Sequence, residues 1–176
     1  MYDDVYVEPE LLDTVEKIAA HEQEPADDPE ALRHEYALKL IDKADKQGIK
    51  FCNALHKGYY GDILSAMKSC DCYHRSMAYL LALDSVLSRQ PDSVLDFQED
   101  MIKRDGLHKG FQTGTSMKTT RLAFNLWNGC CDDGEMYTDK DGYETDLPSH
   151  NYAPDEIFSS IYAPYYWQAI RLRFEI

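Results

Sequence analysis

The sequence predicts a mainly α protein: a compact single helical domain around a central buried helix, with one small β-hairpin. Three observations predict it. Leu122 to Trp127 is apolar at every position except Asn125, and a helix apolar nearly all round belongs inside a core. Apolar residues elsewhere recur at three- and four-residue spacing, the period of an amphipathic helix. Residues 132–150 alone break that pattern, with turn residues set between Tyr/Thr pairs.

Taken in order, Pro9 opens a first amphipathic helix over 9–22, with Leu11, Leu12, Val15, Ile18 and Ala19 as its stripe. Glu24-Pro-Ala-Asp-Asp-Pro29 interrupts it, because two prolines cannot continue a helix. The chain therefore divides into an acidic N-terminal arm, 1–27, and a helical core domain, 28–176, carrying an acidic insertion at about 132–150. Asp28 caps the next helix and Pro29 takes its first position, with Leu32, Tyr36, Leu40, Ile41 and Ala44 facing inward. Gly48 either ends this helix or is tolerated in a longer one reaching Leu55.

Gly58-Tyr-Tyr-Gly61 reads as a turn, followed by a short helix capped by Asp62. Asp71 caps another helix, whose residues 77–83 are too uniformly apolar for a surface. Pro91 breaks the chain, and Asp92 or Ser93 starts a helix bearing Val94, Leu95, Phe97, Met101 and Ile102. A loop from Gly106 to Gly114 delivers the helix expected to be central, 115–128, capped by Thr113 or Thr115 and stopped by Gly129. Asp139-Lys-Asp-Gly142 is the hairpin turn. Pro154 and Pro164 open two final helices, the second with Trp167, Ile170 and Phe174 on one side.

Several familiar chemistries fail on spacing. Lys118-Thr119 follows three glycines, but a phosphate loop needs Gly directly before the Lys, and Met117 stands there. A calcium loop centred on Gly142 would need its first ligand from Tyr137 and its bidentate glutamate from Pro148. Cys70 and Cys72 are one residue apart, which sends them to different faces, and zinc sites space such pairs by two to four. The sequence thus assigns no catalytic residue, no metal ligand and no cofactor. Five cysteines, an odd number, suit reduced thiols better than a disulfide framework. No run approaches the roughly 18 apolar residues of a membrane helix, and the acidic start is unlike a signal peptide.

Charge is the strongest compositional signal. The net is -14, distributed unevenly: residues 1–35 hold 12 acids and 2 bases, and residues 132–176 hold 10 acids and 3 bases. Residues 36–131 between them hold 10 acids and 13 bases. Acidic ends flanking a slightly basic middle are first of all what keeps a small protein soluble, and they also suit a partner with a basic surface, such as a nucleic-acid-handling protein. Thirteen tyrosines, with Tyr152, Tyr162, Tyr165 and Tyr166 crowded near the C-terminal end, suit an interface better than an enzyme cleft. Gln112, Lys118 and Arg121 near a helix start form a second candidate, a nucleic-acid contact.

Asp96-Phe-Gln-Glu99, Gly106–Gly114, Thr120–Gly129 and Ile161–Arg173 resemble a family of short proteins of unknown function carried by phages and mobile elements of gut clostridia. The likeness covers roughly residues 50–130 and 152–174, leaving 1–27 and 132–150 as additions. The family supplies no activity and no site residue. It implies a bacterial cytoplasm and a gene exposed to host defences.

The resulting expectation is a stoichiometric inhibitor of a host defence nuclease, anti-CRISPR-like rather than enzymatic. It would act through Asp132, Asp133, Glu135, Asp139, Asp141, Glu144 and Asp146 on the basic groove of a CRISPR nuclease or similar enzyme. The alternative is a nucleic-acid-binding regulator of a mobile element using the Lys118/Arg121 helix start.

Overall fold

The computed structural model describes residues 28–176; the predicted 9–22 helix and the 1–27 arm lie outside them. Helix α1 runs over Pro29–Lys46, where the Asp28 carboxylate accepts the Glu30 amide at 3.1 Å. Its buried residues are Ala37, Leu40 and Ala44. Leu32 and Tyr36, expected inside, are exposed; the small Ala37 takes the inner position and lets the next helix approach closely. Gly48, at φ 71, ends α1 in the left-handed region that an L side chain rarely adopts.

Helix α2, Ala54–Ala66, is capped by Asn53 and runs unbroken through Gly58 and Gly61. The turn expected there is absent because Gly61 serves packing. A Cβ at Gly61 would lie 2.7 Å from Ile41 Cδ1 and 3.1 Å from the Ala37 carbonyl oxygen. The glycine is where α1 and α2 touch.

Helix α3, Cys72–Leu83, begins at Asp71, whose carboxylate accepts the Tyr73 and His74 amides. Every residue from His74 to Leu83 is buried. Three other helices pack on α3: α2, α4 (Gly114–Asn128) and α6 (Ala163–Phe174). The centre of the fold is therefore α3, and the 115–128 helix is one of three that enclose it. Helix α4 still ends as its sequence implies. Thr113 and Ser116 form a reciprocal capping box, and Gly129 at φ 79 stops the helix.

Between α3 and α4 the helix expected from Asp92 is replaced by two short strands, β1 (Leu95–Asp96) and β2 (Met101–Ile102), paired antiparallel. The Asp96 carboxylate accepts the amides of Gln98 and Glu99, which folds the chain into a turn, and Asp100 closes it at φ 59. The expected hairpin after α4 forms from β3 (Asp132–Thr138) and β4 (Glu144–Pro148). Short α5 (Pro154–Ile157) and α6 complete the chain. On α6 the buried set is Tyr166, Gln168, Ala169 and Leu172, while Trp167 and Phe174 face solvent. Among the described residues no helix is long and apolar enough to cross a membrane.

Candidate functional site: the acidic hairpin and its anchor

The hairpin pairs Thr138 with Glu144, Tyr137 with Thr145 and Met136 with Asp146, then shifts register before Asp132 meets Pro148. The irregularity contains Gly134 at φ 85. At the tip the Asp139 carboxylate accepts the amides of Asp141 (2.8 Å) and Tyr143 (3.0 Å). Gly142, at φ 84, completes that turn.

The base is held by buried charge. Asp133 accepts from Arg121 at two points, Nε to Oδ1 at 2.9 Å and Nη2 to Oδ2 at 3.0 Å. Ser149 Oγ and Asn151 Nδ2 each donate to Asp133 Oδ2 at 2.9 Å. Burial raises the Asp133 carboxyl, but these hydrogen bonds outweigh it and hold the group below the usual carboxylate range. Asp132 pairs with Arg104 at 2.9 Å, and Arg104 also reaches Asp146 at 3.1 Å. The Tyr152 hydroxyl donates to the Asp132 carbonyl at 2.9 Å.

The seven acids named from the sequence therefore divide. Asp132 and Asp133 are buried anchors and present no surface. Asp146 shares Arg104 with Asp132. Glu135, Asp141 and Glu144 are exposed, and Asp139 is half-buried in its turn. Alongside them Met136, Tyr137, Tyr143 and Leu147 are also exposed. From Gly134 to Pro148 both faces of the ribbon meet solvent, apart from the half-buried Asp139. The hairpin aromatics are the residues sequence reasoning passed over. Their signal was present: apolar residues on both faces of a predicted two-stranded ribbon with nothing to cover them. The C-terminal tyrosines divide the other way, with Tyr166 fully buried and Tyr152, Tyr162 and Tyr165 half-buried.

The basic alternative does not assemble. Arg121 is buried and its guanidinium is committed to Asp133. Gln112 Nε2 donates inward to the Gly106 carbonyl and to Thr120 Oγ1. Lys118 donates to Ser159 Oγ and lies 3.9 Å from Glu156. The composition of a nucleic-acid-reading helix start is there, but its donors are turned to the protein.

Two further polar groups were not anticipated. His74, at the start of α3, sits between Asp71 (2.7 Å) and Asp100 (2.9 Å) with Trp127 edge-on at 4.9 Å. His150, Asp155 and Glu156 bring their ligand atoms within 4.8 Å of one another, and none of the cysteines weighed for zinc is among them. The cysteines are free thiols.

Residues 46–176 match the model of a family of unknown function (DUF6075), and the chain belongs to that family. The matched span runs through 132–150, so the hairpin lies within it rather than outside. No curated protein and no solved structure matches the chain.

Proposed function

We propose that this DUF6075 chain works by protein–protein contact, presenting the acidic, aromatic hairpin to a basic surface of a nucleic-acid-handling protein. One observation carries the reading: an exposed ribbon whose base is fixed by the buried Arg121–Asp133 pair. A two-stranded hairpin uncovered on both faces is marginal in water by itself. This one is braced at its root and leaves Tyr137, Tyr143 and Met136 free beside Glu135, Asp141 and Glu144. Tyrosine anchors surrounded by charge are the composition of a binding surface.

In its sharper form the partner is a defence nuclease whose groove normally holds guide or target strands, and the chain is its stoichiometric, anti-CRISPR-like inhibitor. The net charge of -14 supports that form. The test is affinity capture from a bacterial host with wild type and with the quadruple variant Glu135→Gln, Asp139→Asn, Asp141→Asn, Glu144→Gln. Recovery of a nucleic-acid-handling protein by wild type alone, weakening as salt rises, supports the proposal. Equal recovery by the variant refutes it. Because the anchors Asp132 and Asp133 are untouched, the variant should melt like wild type.

A further inference from the structure

At the other end of α3 from Leu83, a cavity of about 190 Å³ opens between Gln47, Ile49, Arg75, Arg171, Leu172, Glu175 and Ile176. Arg75 is 6 % exposed. A buried guanidinium needs an anionic partner, because desolvating it alone is strongly unfavourable. Among the described residues that partner is Glu175, which meets Arg75 Nη2. The remaining Arg75 contacts are long: Nε to the Asp71 carbonyl at 3.4 Å and Nη1 to Gln47 Oε1 at 3.5 Å.

Glu175 is poorly suited to be a permanent partner. Its side chain is 65 % exposed, while that of Arg75 is 7 % exposed. Its backbone is left-handed at φ 56, at the stop of α6 where glycine is the usual residue. Arg171 lines the same cavity; its guanidinium donates to the main-chain oxygens of Gly48, Gln47 and Ile176 and to Gln168 Oε1, so it supplies local positive charge rather than free donors. One buried guanidinium with long remaining contacts, and the positive charge of a second, thus line a space large enough for a tetrahedral or planar oxyanion.

We propose that this cavity binds a small oxyanion of the phosphoryl or carboxylate class, and that the Glu175 carboxylate holds the anion position when no ligand is present. A tethered carboxylate competes at an effective concentration on the order of millimolar, so it masks the site against weak anions and yields to tight ones. The chain's overall negative charge opposes entry only weakly, since charges beyond about 8 Å are screened at physiological salt.

The test is calorimetric titration of the full chain with inorganic phosphate and, separately, with succinate. Wild type should bind one of them at a single site. Glu175→Ala should tighten that binding at least about fivefold by removing the internal competitor. Arg75→Met should abolish it, and Arg171→Met should weaken it while the chain stays folded by circular dichroism. Preference for phosphate or for succinate assigns the phosphoryl or carboxylate source. If Glu175→Ala binds neither anion at concentrations on the order of 10 mM, or binds no more tightly than wild type, the proposal is wrong. The Arg171→Met arm keeps the test decisive should Arg75→Met fail to fold, because unchanged binding there also overturns it.

Discussion

Arg121 and Asp133 face each other as a parallel, two-point ion pair, at 2.9 and 3.0 Å, with both side chains about nine-tenths buried. This contact joins α4 to the root of the hairpin. Replacing Asp133 with Ala strands a buried guanidinium and should cost about 3–5 kcal/mol, read from urea melts. Arg121→Met with Asp133→Leu removes both charges and should recover most of that loss. The Asp133 carboxyl is held below its ordinary range, so the pair stabilises the fold above about pH 4 and its contribution fades as pH falls further. A single Asp133→Ala variant as stable as wild type would remove the anchor from the account.

His56 gives the fold a second, separable acid sensitivity. Its Nδ1 accepts the Cys52 amide at 3.1 Å, so Nε2 carries the proton and donates to the Tyr79 carbonyl at 3.1 Å. Burial depresses the imidazole to about 4, against a smaller upward push from the Tyr79 carbonyl. The unfolded chain binds this proton near pH 6.5, so stability is full above that value and declines as pH falls towards 4. Unfolding free energy should drop by about 2 kcal/mol between pH 7 and pH 5 from this group alone. His56→Gln should lower stability at pH 7 but flatten the slope across that interval. An unchanged slope in the variant would assign the acid sensitivity elsewhere.

The helical class, the caps at Asp28 and Asp71, the stop at Gly129 and the hairpin within 132–150 were legible because each rests on local chemistry, and of the two threonines the sequence offered as the α4 cap it is Thr113. The central helix was not legible. Leu122–Trp127 and Met77–Leu83 are both apolar runs, and the choice depends on which one the other helices surround. Gly61 is ambiguous in sequence for the same reason: glycine marks a turn or a close approach, and only Ile41 across the contact decides which. In the hairpin, the acids were visible but their division was not. Asp132 and Asp133 look like Asp139 and Asp141 until Arg104 and Arg121, distant in sequence, arrive beside the first two.

Tyr143 is 72 % exposed and follows the Gly142 turn. Its hydroxyl and ring meet solvent, so Tyr143→Ala should change stability by no more than about 0.5 kcal/mol. If the hairpin is the contact surface, the same change should weaken partner binding about tenfold, chiefly through faster dissociation. Surface plasmon resonance against the captured partner separates the two effects. Unaltered dissociation for both Tyr143→Ala and Tyr137→Ala would leave the hairpin without an aromatic anchor.

Gly61→Ala weighs two opposed terms of known size. Alanine favours a helix interior over glycine by about 1 kcal/mol. Against that, the new methyl would sit 2.7 Å from Ile41 Cδ1 and 3.1 Å from the Ala37 carbonyl oxygen. Overpacking of this kind costs about 1–3 kcal/mol, and the backbone oxygen cannot swing aside as a side chain can. The clash should win, lowering stability by on the order of 1 kcal/mol in urea melts. Ile41→Val removes Cδ1, the nearest atom, while a γ carbon remains 3.0 Å away, so Gly61→Ala with Ile41→Val should be modestly more stable than the two single effects added together. Additive losses would show that α1 shifts as a body to admit the methyl, and that Ile41 does not set the spacing between α1 and α2.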